Sequence, residues 1–312
     1  MHIQTRSSSE VFCERLCGQL MFVIVNVLLA YVFVVEFFII VPFERYHKNS
    51  YFLAFLVVFG FYLFVNIWYH YYKSCFTSPG FAPKVEGPTI CSECRYYKPS
   101  IAHHCRSCNR CVLRMDHHCV FIGQCVGLYN HRHFFQFVMF LGLGSFTACF
   151  SGLNTIWYNV IILHDKSQAF CSVVSNSYFL KTPVCLDGVG GIVLLLVMSV
   201  QAICWSGMIL GVMFTIWNAI LISADMTHVD STVSNPQISF SLSRTDFLEE
   251  NSWSVMFKSM KNFENVKKNW INFLGLQTKR RSFLRHILLP SSHVAMTYDH
   301  GIDQTLLSVR VH

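Results

Sequence analysis

Charge is what this sequence has least of. Asp, Glu, Lys and Arg make up 13% of its 312 residues, against 53% hydrophobic, and an ordinary soluble domain carries about 25% charged residues. A soluble globular protein is thereby excluded as the first reading. The chain also lacks any Asn-x-Ser/Thr sequon, so glycosylation cannot report which segments meet a lumen. It has no element resembling a groove reader, so its net charge of +7 does not point to nucleic acid. No cleavable signal peptide is expected, because the first apolar run is too long for an h-region and no small-residue cleavage site follows it.

What is present is a set of long, nearly uncharged runs at 20–41, 51–72, about 134–163 and about 189–223. Each reaches the roughly 20 residues that a helix needs to cross about 30 Å of hydrocarbon. The last two exceed it, and helices of that length would tilt or project beyond the membrane. Placing the two tails and the central loop on one side puts 20 of the 24 Lys and Arg residues in one compartment. The positive-inside rule makes that compartment the cytosol, with both termini in it. The excess positive charge then suits an anionic leaflet and anionic cofactors.

Seven of the 14 cysteines fall between Cys91 and Cys125, in the central loop. In a reducing cytosol such a cluster indicates metal binding or catalysis rather than disulfides. Cys171 and Cys185 lie in the loop assigned to the lumen, where they are expected to be able to pair. The central loop reads Cys91-x2-Cys94-x9-His104-Cys105-x2-Cys108-x2-Cys111, then Asp116-His117-His118-Cys119, then Cys125. Short Cys-x2-Cys pairs supply two ligands from one knuckle, and closed tetrahedral zinc sites take four thiolate or imidazole ligands each. Seven cysteines and four histidines are available for eight positions, which leaves three candidates over. A cysteine outside both sites, beside a histidine and an aspartate, has the parts of an activated nucleophile. Asp116, His117 and Cys119 fit that description.

These residues resemble the DHHC protein acyltransferases, whose cysteine-rich domain lies between the second and third of four spans. The resemblance includes Lys98-Pro99, His103-His104-Cys105, the run from Cys108-Asn109-Arg110-Cys111 to Asp116-His117-His118-Cys119, and Cys125-Val126-Gly127 with Asn130 and Phe134. It implies one structural zinc on Cys91, Cys94, His104 and Cys111 and a second on Cys105, Cys108, His118 and Cys125. It further implies that His117, oriented by Asp116, deprotonates Cys119, which takes a long-chain acyl group, most often palmitoyl, from acyl-CoA. The acyl group then passes to cysteines of membrane-associated substrate proteins at the cytosolic face. Residence in the endoplasmic reticulum or Golgi follows from the same resemblance.

The segment after Cys119 reads Val120-Phe121-Ile122-Gly123-Gln124, where the family usually has Pro-Trp-Val-Asn-Asn. Phe121 keeps an aromatic surface for the acyl chain, and Arg106, Arg110, Arg114, Lys98 and Arg132 are candidates for the coenzyme's phosphates. Ser78-Pro79-Gly80, Thr227-His228-Val229-Asp230 and Asn269-Trp270 with Phe273-Leu274-Gly275 resemble further family elements in altered form. Asn26, Glu36, Asn66, Asn154 and Gln201 stand inside spans, mostly as interhelical glue, with Glu36 expected to reach the luminal interface. Gly142, Gly144 and Ser145 either leave room for an acyl chain or serve close helix packing, and packing is the commoner use. Cys13, Cys17 and Cys75 border spans and are candidates for acylation themselves. The segment 229–250 reads as flexible.

The expected architecture is an all-α integral membrane protein. Residues 1–72 hold the N-tail and two spans, 73–133 the two-zinc domain, 134–223 the last two spans and 224–312 the C-tail. The competing class is a catalytically weak membrane zinc-binding adaptor or RING-like ligase, which has no need of a free cysteine beside Asp-His-His.

Overall fold

The computed structural model describes residues 8–83, 89–157, 190–232, 252–278 and 281–293. Cys171 and Cys185, and most of the segment 229–250, lie outside the described residues. Among the described residues four helices are long and apolar enough to cross a membrane: Leu16–Glu44, Ser50–Phe76, His131–Ser151 and Ile192–Ser223. They form because long uncharged runs satisfy every backbone group internally, which is what a hydrocarbon solvent demands.

In chain order the elements are α1 (Ser8–Val35), a π-helical turn (Glu36–Ile40), α2 (Val41–Glu44) and α3 (Ser50–Phe76). Six short strands follow: β1 (Thr89–Ile90), β2 (Tyr97–Lys98), β3 (Ala102–Cys105), β4 (Arg110–Leu113), β5 (His117–Cys119) and β6 (Gln124–Val126). They pair as three antiparallel hairpins, β1 with β2, β3 with β4 and β5 with β6. Then come α4 (His131–Ser151), α5 (Leu153–Ile156), α6 (Gly190–Ser223), α7 (His228–Thr232), α8 (Ser252–Met260), α9 (Phe263–Leu274) and a π-helical turn (Leu284–Leu288). The third apolar run does not continue as one helix of about thirty residues. It breaks at Gly152 (φ −88°, ψ 8°), after which α5 starts afresh.

The chain divides into two compact units. One comprises Val23–Tyr69 and Gln136–Thr215, and its core is Val35, Ile40, Cys149, Val197, Val200 and Cys204. Here α4 and α6 touch backbone to backbone, since a Cβ on Gly211 would lie 2.6 Å from Gly142 N and Cα. A Cβ on Gly144 would meet Ile67 Cδ1 at 2.8 Å, and Ser145 Oγ occupies the space beside Gly207. The small residues of α4 thus admit neighbouring helices, the packing use expected of them.

The same unit buries a polar cluster. Glu44 is fully buried and accepts hydrogen bonds from Lys48 Nζ (2.7 Å), Asn154 Nδ2 (2.9 Å), and Thr155 N and Oγ1 (2.7 Å each). A buried carboxylate is tolerated only when its lone pairs are met in this way. Glu36 does not reach an interface. It is buried, and Ser151 Oγ donates to it at 3.4 Å, because the π-helical turn beginning at Glu36 keeps its side chain against the core.

The other unit comprises Met1–Phe22, His70–Phe135 and Ile216–His312. It holds the three hairpins and the tail helices. Asn269 Nδ2 donates to Ser223 O and Trp270 Nε1 to Ser223 Oγ, both at 3.0 Å, capping α6 where its last carbonyls have no helical partner. Trp270 and Phe273 both pack edge-on against Phe135.

Candidate active site and metal centres

The hairpins follow from turn chemistry and from the two-residue period of a strand. The β3–β4 turn runs through Asn109, which takes a positive φ of 50° that asparagine tolerates well. Adjacent residues on β3 point to opposite faces, so His104 and Cys105 are sent to different centres. His104 joins Cys91, Cys94 and Cys111, whereas Cys105 joins Cys108, His118 and Cys125, and in each group the ligand atoms lie within 4.8 Å of one another. These are the two ligand sets expected from the sequence.

In the first group Cys94 Sγ is 3.2 Å from His104 Nδ1 and 3.8 Å from Cys111 Sγ. In the second, His118 Nδ1 lies 3.7, 3.4 and 3.6 Å from the sulfurs of Cys105, Cys108 and Cys125. A tetrahedral ion holding thiolates at about 2.3 Å and an imidazole at about 2.0 Å separates its ligands by roughly 3.5–3.8 Å. The donor chemistry and the spacing therefore fit a metal ion in each group. In each knuckle a backbone amide also donates to the first sulfur, Cys94 N to Cys91 Sγ (3.4 Å) and Cys108 N to Cys105 Sγ (3.3 Å).

Strand β5 repeats the logic. His118 faces its cross-strand partner Cys125, and alternation puts His117 and Cys119 together on the other face. Cys119 is buried, at 7% exposure, and belongs to neither metal group. Asp116 Oδ2 accepts from His117 Nδ1 at 2.8 Å, and the ring is also hydrogen-bonded to Cys119. Burial opposes the imidazolium, but the bonds to Asp116 and Cys119 outweigh it and raise the His117 pKa to about 9. Burial likewise opposes the Asp116 charge, yet His131 and the bond to His117 hold its carboxyl well below the usual carboxylate range. Phe134 sits edge-on to His117, with centroids 5.1 Å apart, and closes that side of the ring.

The segment after α6 clasps the hairpins at three points. Asp225 takes a hydrogen-bonded ion pair from Arg114 (2.9 Å), the His228 amide donates to Asp116 Oδ1 (2.7 Å), and Asp230 Oδ1 pairs with His103 Nε2 (3.6 Å). Thr227 and Asp230 form a reciprocal capping box: Thr227 N and Oγ1 donate to Asp230 Oδ2 (2.9 Å each) and Asp230 N returns to Thr227 Oγ1 (3.2 Å). The Thr-x-x-Asp spacing is a visible start signal for α7. That the turn presents an amide to Asp116 is a tertiary fact no local pattern reports.

Gln124 was also missed. Its Nε2 reaches the carbonyls of Ser74, Cys75 and Thr77 at 2.7, 2.8 and 2.9 Å, meeting the orphan acceptors at the end of α3. Asn130 adds a bond to Ser74 O (3.3 Å) and holds Cys125 O (2.9 Å).

The candidate coenzyme contacts are dispersed. The Arg110 guanidinium lies 4.9 Å over the Phe81 ring, Arg114 is engaged by Asp225, and Lys98 Nζ donates to Ala102 O. Arg106 is exposed in the β3–β4 turn, and Phe121 is 56% exposed. Arg132 is buried and donates to the carbonyls of Ser291 (3.1 Å) and His293 (2.6 Å) in the tail.

The DHHC palmitoyltransferase family matches residues 84–235, which include Asp116, His117, Cys119 and both ligand groups. Palmitoyltransferase ZDHHC16 of Homo sapiens is 32% identical over 240 residues, covering 74% of this chain and 60% of that protein. The Bos taurus protein of that name is 30% identical over 290 residues, covering 90% of this chain and 74% of the relative. Palmitoyltransferase PFA3 of Debaryomyces hansenii is 49% identical over 97 residues, covering 29% of this chain and 24% of its own length. The chain thus spans about three-fifths of the human relative's length. With Asp116, His117, Cys119 and both ligand groups inside the matched region, the chain belongs to the DHHC palmitoyltransferase family.

Proposed function

We propose that this chain is a protein S-acyltransferase that carries a long-chain acyl group on Cys119 and passes it to cysteines of membrane-associated proteins. The observation that carries the reading is His117, hydrogen-bonded to Asp116 on one side and Cys119 on the other, with Cys119 outside both metal groups. An imidazole of raised basicity takes the thiol proton. The thiolate attacks the carbonyl of an acyl-CoA, the coenzyme leaves as a thiol with a proton from His117, and a thioester remains on Cys119. A substrate cysteine gives its proton to His117 and attacks that thioester, so Cys119 is released and the cycle is ping-pong. Asp116 keeps the imidazole in one tautomer and stabilises it once charged.

Both metals are zinc in this reading, since thiolate-rich tetrahedral sets favour it over hard cations. When bound, zinc would supply structure and not Lewis acidity, because four protein ligands leave no position for substrate. Residues 73–133 would be the cytosolic zinc domain, flanked by spans in 1–72 and 134–223 and by the tail 224–312. The charge asymmetry supports cytosolic termini, and the resemblance supports the endoplasmic reticulum or Golgi. Palmitoyl is the favoured acyl group, on the same ground. Phe121, exposed beside Cys119, is the residue placed to meet the chain. Arg106 and Arg110 are the candidates placed best for the coenzyme, because both are exposed.

The test is incorporation of alkyne-tagged palmitate from palmitoyl-CoA into purified protein and a Cys119→Ser variant. Label that requires Cys119 and is released by hydroxylamine is the expected result. Equal labelling of both proteins would overturn the reading in favour of a zinc-binding adaptor.

A further inference from the structure

Cys119 is followed directly by the turn of its hairpin, Val120 to Gly123, and that turn rests on α1 and α3. Gly123 N donates to Val120 O at 3.2 Å and closes it, Ile122 is buried, and Val120 and Phe121 are exposed. Position 120 holds Val, so no proline ring fixes the backbone beside the nucleophile. The turn is seated from outside instead. Tyr71, in the last two turns of α3 and 1% exposed, donates its hydroxyl to Phe121 O at 3.0 Å. Phe22 of α1 stacks on the Tyr71 ring with centroids 5.9 Å apart, and meets Phe76 edge-on at 5.5 Å. One helical turn before Phe22, Gly18 meets Gly123 backbone to backbone: a Cβ on Gly18 would lie 3.0 Å from Gly123 Cα.

Gly18 and Phe22 are four residues apart and so share one face of α1, the face turned to the hairpin. Glycine weakens a helix interior, and at position 18 the close approach of Gly123 demands it. Gly123 is constrained twice, by that approach and by its φ of 66°. The strands of the hairpin have other anchors: His118 and Cys125 belong to a metal group, and Gln124 binds the end of α3. Those anchors set Cys119 beside His117, whereas Tyr71 and Gly18 hold the tip.

We propose that Tyr71, backed by the Gly18–Gly123 contact, is a positioning residue for acyl transfer: it fixes the turn so that Phe121 guides the donor's thioester carbonyl onto the Cys119 sulfur. The inference rests on the acyl-enzyme reading above. Tyr71 acts through the Phe121 carbonyl and moves no proton. Its grip matters because the reacting atoms must meet in near-attack alignment, and a misplacement of about 1 Å costs up to about a hundredfold in rate. The hydroxyl holds backbone and not the Phe121 ring, so the turn keeps its place while the ring meets an acyl chain. In this way two membrane helices, neither of which carries a member of the Asp-His-Cys set, set the geometry of the transfer.

The experiment compares full-length wild type with Tyr71→Phe, which removes only the hydroxyl, and with Gly18→Ala, which favours the helix but drives a methyl against Gly123. Each protein, checked for zinc content and melting temperature, receives saturating alkyne-palmitoyl-CoA in a single turnover. A second sample receives chloroacetamide, a small reagent that needs only the thiolate. Both reactions are read at Cys119 by site-resolved mass spectrometry. The two variants should acylate about tenfold more slowly than wild type, with alkylation within about twofold of it. Tyr72→Phe, the same change at an exposed neighbour, should match wild type in both reactions. A wild-type acylation rate in either variant would overturn the proposal. So would a parallel fall in acylation and alkylation, or a fall that tracks lost zinc, because the contacts would then serve the thiol or the fold at large. Wild-type Cys119 that takes the alkyl group but no acyl label would remove the enzyme reading, and the role of Tyr71 with it.

Discussion

The backbone amide of His228 donates to Asp116 Oδ1 at 2.7 Å, while the other oxygen of the same carboxylate holds His117. A residue just beyond the fourth apolar helix thus fixes the carboxylate that holds His117. Because the donor is an amide, side-chain replacement at His228 leaves it in place, and the sensitive positions are those that shape the turn. Asp230→Ala removes the capping box and the His103 contact, at a cost of about 1 kcal/mol for the cap. Autoacylation of Cys119 should fall about five- to tenfold with zinc content unchanged, measured as the single-turnover labelling rate.

Asp116→Asn keeps the shape of the residue and the His228 contact but presents an uncharged group to His117. In a comparable triad, loss of the carboxylate charge costs about 10⁴ through the wrong imidazole tautomer. A fall of at least about a hundredfold in labelling rate is expected, with melting temperature and zinc content close to wild type.

Cys125→Ser should do something different in kind. It takes a ligand from the group that also holds His118, so zinc should drop from two equivalents per chain towards one. A zinc site contributes on the order of 10 kcal/mol to ordering a small domain. Loss of labelling should therefore be accompanied by protease sensitivity between residues 102 and 126, and atomic absorption with limited proteolysis checks both.

Gln124→Ala uncaps α3 and leaves the carbonyls of Ser74, Cys75 and Thr77 without their common donor. Each buried acceptor left unpaired costs about 1–3 kcal/mol. Thermal unfolding in detergent should come several degrees earlier, and Cys119, opposite Gln124 in the hairpin, should label more slowly. Gln124→Asn, one methylene shorter, should recover only part of the loss.

Gly211→Leu tests the contact between α4 and α6. The added side chain meets Gly142 backbone at under 3 Å, so the helices must part. Destabilisation by several kcal/mol is expected, in line with overpacking of a tight site. A change in preferred acyl length with stability unaffected would show that the small residues line a chain cavity after all.

The four spans were legible because uncharged runs longer than about 18 residues have few other uses. The cysteine–histidine cluster was legible because Cys-x2-Cys knuckles and the Asp-His-His-Cys run are local patterns, whereas its division into two groups came from the family resemblance. The break at Gly152 and the π-helical turn after Val35 were not, since both answer to neighbours distant in sequence: a Cβ on Gly152 would strike the Gln201 amide, and Glu36 meets Ser151. Glu44 and Gln124 escaped notice for the same reason. Each satisfies groups supplied by another segment, and nothing in its own neighbours announces that. The partners of Arg114 and Arg132 were hidden in the same way, because a cation in sequence does not reveal the carboxylate or carbonyls waiting for it in space.

His118 and Cys125 belong to one candidate metal group, and Cys119 with its five following residues is strung between them and Gln124's hold on α3. Such a segment has fixed endpoints and no slack. Its composition is free to drift, as the replacement of Pro-Trp-Val-Asn-Asn by Val-Phe-Ile-Gly-Gln illustrates, but its residue count is not: one residue added or removed would carry Cys119 away from His117 or pull a ligand from its ion. Within this segment a change of side chain is therefore tolerable where a change of length is not.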